Sequence, residues 1–327
     1  MASLSLWSIA RRDTRTSRSA DRSGRSVRAI GRGEWSGRSA GAIGPILHRP
    51  RQRGASARRG PGSPAGDEPA AAQAHYTGMK AAHLAGKRVL VTGGAGAIGR
   101  SVAARFIGLG ARVLIADRDE ADLRRATEEI VLPAQTGLLE AVAADLASSS
   151  GLAHVFARVD AGLGGLDLLV ACAGVGAGPL MTMAEAEWRA VLDNNLVSHV
   201  AAAQCAVERM RVAGDRQGMI ILVGSASVHR AAAGDSVLNA SKGGVALFAE
   251  TLRRELIADG IRVTLIEPGA TDSALQPLPP EERARQVEEQ RMLDPDQVAD
   301  AILFAATRPP GVDVVSLRIE PLAQRAS

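Results

Sequence analysis

From Lys87 onward, short runs of β-branched and aliphatic residues alternate with longer amphipathic stretches, and no other feature constrains the fold as much. The runs read KRVLVTGG (87–94) and ARVLIADRD (111–119), followed by apolar segments at 139–144, 166–171, 219–223, 261–266 and 312–319. Between them lie helical patterns such as SVAARFIGLG and the charged stretch 120–130. Strands separated by helices of this length predict an α/β fold, a doubly wound parallel sheet in three layers, α/β/α. The runs are almost continuously apolar, as expected of parallel strands buried on both faces. Aromatic residues make up only 2% of the chain, so this core must be built from Ala, Val, Leu and Ile.

The first quarter of the 327-residue chain reads differently. Residues 1–80 hold fourteen arginines and one lysine against five acidic residues, +10, while the remainder carries −6. The basic pI therefore belongs to a segment rich in Arg, Ser, Gly, Ala and Pro, without helical or strand periodicity, which composition predicts to be disordered over residues 1–78. Three readings stay open for it: a targeting peptide, a basic arm for nucleic acid or anionic surfaces, or no function, the last including a true start at Met79. Residues 79–327 form the expected single domain, and its charge balance argues against nucleic acid as a partner. No run of apolar residues reads as a membrane span, and two isolated cysteines fit a reducing, cytoplasmic setting. His83, His154 and His199 are scattered, so no metal site is expected.

The first run ends in Thr92-Gly93-Gly94-Ala95-Gly96-Ala97-Ile98-Gly99, and a helix follows at once. Small residues here allow a sharp turn and a close approach of backbone to a pyrophosphate, which would sit on the helix's free amides. A tight strand-to-helix connection would also use glycines. Eighteen residues after Gly99 the second strand closes on Asp117, where a carboxylate can accept hydrogen bonds from adenosine ribose hydroxyls and repel a 2′-phosphate. That favours NAD over NADP, with Arg100 and Arg118 as nearby cations that soften the preference.

Taken in order, these residues resemble the classical short-chain dehydrogenase/reductase family, a Rossmann-type fold, over residues 84–321. TGGAGAIG is similar to the family's TGxxxGxG with Ala97 at the second glycine, and Ala171–Gly174 (ACAG, including Ala173 and Gly174) corresponds to its NNAG. The resemblance implies an adenine contact for Asp145, a water-holding helix asparagine at Asn195, a catalytic serine at Ser225, and a nicotinamide cradle at Pro268, Gly269 and Thr271. Lys242 falls at the lysine that binds the nicotinamide ribose. It also implies subunit-packing helices over 185–211 and 237–258, hence a homodimer or homotetramer, and a substrate flap over 271–292.

One position departs from the pattern. The family's YxxxK becomes Leu238-Asn239-Ala240-Ser241-Lys242, so a leucine stands where a phenol should pass a proton to the carbonyl oxygen. The chain's only tyrosine is Tyr76, in the lead segment. A water held by Ser225 and Asn195, Lys242 itself, or His229 are the candidate substitutes. The resemblance thus implies an NAD(P)-dependent oxidoreductase interconverting a small alcohol and a carbonyl. The alternative is a catalytically impaired homologue that binds the dinucleotide as a sensor or partner subunit.

Overall fold

Seven parallel strands form one sheet in the order β3-β2-β1-β4-β5-β6-β7, in a computed structural model that describes residues 84–130, 137–214 and 217–323. The expectations for residues 1–78, and Tyr76 and His83 with them, lie outside the described residues. The elements run β1 Arg88–Thr92, α1 Ala97–Gly108, β2 Arg112–Asp117, α2 Glu120–Ile130, β3 Leu139–Ala143, α3 Ser149–Arg158 and β4 Leu168–Ala171. They continue as α4 Glu185–Leu192, α5 Ser198–Ala213, β5 Met219–Val223, α6 Ser236–Glu255, β6 Arg262–Pro268, α7 Pro280–Glu288, α8 Pro295–Ala306 and β7 Ser316–Ile319.

Each central strand serves two cores, because successive side chains point to opposite faces of a sheet. Val89, Val91, Val113, Ile115, Val170 and Ile221 face α1, α2 and α8, where Phe106 and Ile302 fill the layer. Leu90, Leu114, Leu169, Ile220 and Leu222 face α3, α5 and α6, meeting Phe156, Ala203, Val207 and Val245. Small residues on α5, such as Ala202, Ala203 and Ala206, bring that helix close to the sheet. The sheet order reverses between β1 and β4, which pair directly with Thr92 opposite Ala171. A crevice opens at such a reversal, outside the carboxyl ends of the strands.

The element boundaries differ from the sequence pattern in two instructive places. The helical stretch 185–211 is interrupted by a π turn, Asp193–Val197, between α4 and α5. The wider turn admits one extra residue and brings Asn195 into the interior, with none of its surface exposed. The last apolar run yields a strand only at Ser316–Ile319, and its burial alternates between exposed and half-buried as suits an edge strand. Among the described residues, no helix is long and apolar enough to cross a membrane.

Candidate active site

The turn after β1 is closed by contacts that only glycine permits. Gly93 sits at φ +68°, and a Cβ on it would lie 2.7 Å from the backbone nitrogen of Ala173. A Cβ on Gly94 would meet Ile115 at 2.5 Å, and one on Gly99 would overlap the carbonyl oxygen of Gly93. The loop therefore lies flat between β2 and the end of β4. Helix α1 begins at Ala97 with no side-chain cap on Gly96 and no acidic residue in its first turn. The amides of Ala97, Ile98 and Gly99 form that first turn, where no intrahelical acceptor exists, and the helix dipole adds positive potential.

Asp117 is tied into the same loop. Its Oδ2 accepts a hydrogen bond from the Ala95 amide at 3.1 Å and its Oδ1 one from the Arg118 amide at 2.8 Å. Each carboxylate oxygen keeps a further lone pair for a ligand hydroxyl. Arg100, one of the two cations expected to temper its charge, is drawn to Glu129 at 3.0 Å. Asp145 follows β3, and its carboxylate accepts from the Ala147 amide at 3.0 Å while its carbonyl receives the hydroxyl of Ser148, the cap of α3.

Beyond β4 a second group of residues is knitted together by Asn195. Its Oδ1 accepts from the Val175 amide at 2.7 Å, and its Nδ2 donates to the Val175 carbonyl at 3.0 Å and to Ser241 Oγ at 3.2 Å. Ser241 Oγ in turn donates to the Leu238 carbonyl at 2.7 Å. Lys242, one residue further on α6 and only 9% exposed, donates from Nζ to the Val223 carbonyl at 3.0 Å. A Cβ on Gly174 would lie 3.1 Å from Asn195 Oδ1 and 3.6 Å from Lys242 Nζ, so the backbone at Gly174 is flanked by both groups. Burial pushes the Lys242 ammonium down to about 8, with Cys172 acting in the opposite direction.

Ser225 follows β5 in extended backbone and its Oγ accepts from the Ser227 amide at 3.1 Å, capping a short 3₁₀ helix, Ala226–His229. Its own hydroxyl hydrogen is left for an external acceptor. His229 closes that helix, 43% of its side chain exposed, with Nε2 2.8 Å from the buried Glu267 carboxylate on β6. Next to Glu267, Pro268 ends β6, the Gly269 amide donates to the Ile319 carbonyl at 2.7 Å, and the Thr271 hydroxyl donates to the Gly269 carbonyl at 3.0 Å. Leu238 is half-buried on α6, one helical turn before Lys242.

A cleft of about 510 Å³ opens beside this edge, between residues 175–191 and the 275–277 strand-to-helix segment; Val175, Glu187, Val191 and Leu275 are among its walls. The segment expected to be a flap contains α7 and is tied down by Arg283, whose Nε donates to Asp272 Oδ1 at 2.6 Å and whose second nitrogen donates to the Leu278 carbonyl at 2.9 Å. Gly93 packs against Ala173, and Gly174 lies beside Asn195 and Lys242, so the turn after β1, the loop after β4 and helix α6 come together at the carboxyl ends of β1 and β4. Sequence reasoning passed over Ser241, Glu267 and Arg283. Ser241 was within reach, since it precedes Lys242 and lies three residues after Leu238, whereas Glu267 and Arg283 depend on partners distant in sequence. Cys172 and Cys205 are free thiols with intermediate exposure. Among the described residues no cluster of three or more His, Cys, Asp or Glu side chains is placed to hold a metal.

Comparison with known proteins agrees with this fold. A family profile described as short chain dehydrogenase matches residues 87–283. An uncharacterised oxidoreductase of Staphylococcus aureus is 26% identical over 240 residues, 73% of this chain and 99% of that protein. A short chain dehydrogenase from Burkholderia cenocepacia, solved in complex with NADP, superposes with a TM-score of 0.65 at 30% identity over 73% of this chain and 98% of the other. A 3-ketoacyl-(acyl-carrier-protein) reductase from Brucella melitensis, complexed with NADH, superposes with a TM-score of 0.64 at 25% identity, covering 74% and 100%. With the ordered motifs on one sheet edge and a profile match across most of that sheet, the chain belongs to the short chain dehydrogenase family.

Proposed function

We propose that this protein is an NAD-preferring oxidoreductase that interconverts an alcohol and a carbonyl on a small organic substrate. The observation that carries the reading is the glycine-only turn at Gly93 and Gly99, opening onto an uncapped helix N-terminus beside Asp117. The residues fit a nicotinamide dinucleotide. The amides of Ala97, Ile98 and Gly99 would take the pyrophosphate, Asp117 the adenosine ribose hydroxyls and Asp145 the adenine. Ala173 and Gly174 would give the flat backbone beneath the nicotinamide ribose, Lys242 would hold that ribose, and Pro268, Gly269 and Thr271 would cradle the nicotinamide. When bound, the dinucleotide supplies or accepts a hydride.

The chain's own residues do the rest. Ser225 keeps a hydroxyl hydrogen with which to polarise a substrate carbonyl, and Asn195 holds the loop after β4 while positioning water. Asp117 places negative charge where NADP carries its extra phosphate, and Arg100 is turned toward Glu129, so NAD is the preferred form. Exposed Val197, Val200 and Leu247 on the π turn, α5 and α6 support assembly as a homodimer or homotetramer through these helices. Two unpaired cysteines support a reducing, cytoplasmic setting.

Leu238 leaves the site without the phenol that the family resemblance calls for. General acid–base help contributes roughly two to four orders of magnitude, and a leucine gives none. In NADH-dependent reduction of a panel of aldehydes, diketones and acetoacetyl thioesters, Leu238→Tyr should raise kcat by about 10²-fold or more. A wild type as fast as the variant would show that the site has a full proton source already. Binding of NADH with no turnover by either protein would favour the silent, dinucleotide-sensing homologue.

A further inference from the structure

We propose that in this protein the ε-ammonium of Lys242 is itself the proton donor to the substrate oxygen, and the neutral amine the acceptor in the reverse direction. The inference rests on the oxidoreductase reading above and assigns the role that Leu238 vacates. It begins from placement. Leu238 and Lys242 are four apart on α6 and so share one helix face, and Leu238 offers no atom to which the amine could hand a proton. Nζ has one hydrogen bond among the described residues, to the Val223 carbonyl at 3.0 Å, and an ammonium has three N–H donors.

The amine lies beside the loop after β4. The backbone at Gly174, on the loop after β4, is 3.6 Å from Nζ measured from where a side chain would start, and Asn195 Oδ1 lies 3.1 Å from the same point. Asn195 spends both amide hydrogens on Val175 and Ser241 and holds the Val175 amide on Oδ1, so it fixes the surroundings of Nζ. His229, the other candidate with a titratable ring, is already held by Glu267 at 2.8 Å and half-exposed at the β6 side.

Protonation behaviour agrees with the placement. Desolvation lowers Lys242 to about 8, so both forms are populated near neutrality. The titratable groups that face it are Cys172, at the end of β4, and His199, on α5. Burial pushes the Cys172 thiol up to about 12 and the His199 imidazole down to about 3, so neither changes charge in the range where Lys242 does. In the step itself the carbonyl carbon would gain a hydride, one hydrogen with its electron pair, from the bound nicotinamide, while an Nζ–H bond breaks and an O–H bond forms on the substrate oxygen. The amine left neutral recovers its proton from water.

Three readouts on the full chain test this. The first is NADH binding by nicotinamide fluorescence, the second the Lys242 titration by NMR of lysine side-chain carbons against Lys242→Arg, and the third the pH profile of alcohol oxidation and carbonyl reduction over the same panel. The proposal expects a lysine signal titrating near 8, an oxidation limb that rises with the same apparent pKa, and a limb displaced in Leu238→Tyr, where a phenol takes over. Lys242→Arg, which keeps the charge but cannot give up its proton, should lose at least about 10²-fold in turnover measured at saturating NADH. His229→Ala should keep its turnover. Retained turnover in Lys242→Arg, a lysine signal titrating near 10.5, or loss of turnover in His229→Ala instead would overturn the proposal. Should Lys242→Arg fail to fold, the wild-type NMR titration and the Leu238→Tyr displacement decide it alone. NADH binding without turnover at any pH overturns the lysine role and leaves the dinucleotide site standing, whereas no NADH binding overturns the oxidoreductase reading first.

Discussion

At the scale of single residues, the site is defined by what cannot be there. Gly93 combines a positive φ with a virtual Cβ 2.7 Å from Ala173, so two independent penalties act on any side chain. The backbone conformation alone costs an L-residue about 1–2 kcal/mol, and the overlap forces β1 and β4 apart at the crevice. Gly93→Ala should therefore lower the melting temperature measurably and weaken NADH binding by at least about tenfold, while Gly108→Ala, whose Cβ would meet nothing within 4 Å, should do neither. Equal behaviour of the two variants would show that the turn tolerates a side chain. The glycines were legible in the sequence because few residue types serve this geometry. Leu238 was legible for the same kind of reason, as a departure at a position with a defined chemical task. Ser241 was not, because a serine on a helix reads as an ordinary surface residue until its bonds to Asn195 and Leu238 are seen.

At the scale of elements, the π turn between α4 and α5 does the most to shape the site. Sequence periodicity read the region as one helix, and nothing in residue type distinguishes Asp193–Val197 from a regular turn. The extra residue shows itself only through tertiary bonds, with Asn195 spanning to Val175 and Ser241. The same element carries a pH signature. His199 is on the first turn of α5 and 1% exposed, and burial, with the Lys242 charge nearby, holds its pKa down to about 3. In the unfolded chain an imidazole titrates near 6.5, so between about 3 and 6.5 the unfolded state binds the extra proton. Stability should accordingly fall as pH drops below about 6.5, by up to about 1.4 kcal/mol per pH unit from this group. His199→Leu should flatten that acid limb in urea melts run between pH 4 and 7. An unchanged slope would place the acid sensitivity elsewhere.

At the scale of the whole molecule, the parallel order β3-β2-β1-β4-β5-β6-β7 explains why residues spread over nearly two hundred positions meet on one edge. Each strand delivers its last residues to the same side, so Thr92, Asp117, Ala171, Val223 and Pro268 end in one plane of chemistry. The fold was legible because buried parallel strands write themselves as apolar runs, whereas the edge strand β7, half-exposed and short, was read four residues too long. Pairings across the edge, such as His229 with Glu267 and Arg283 with Asp272, had no signal in the sequence because their partners come from distant segments. On the proposed function, the carboxyl ends of these strands form a dinucleotide site in which the adenosine ribose meets Asp117. The most direct measurement is titration of the purified full-length chain with NADH and with NADPH, followed by nicotinamide fluorescence. The account predicts saturable binding of NADH and affinity for NADPH weaker by about tenfold or more, since a phosphate would meet the Asp117 carboxylate. NADPH binding as tight as NADH would remove the role given to Asp117, and binding of neither would contradict the account at its centre.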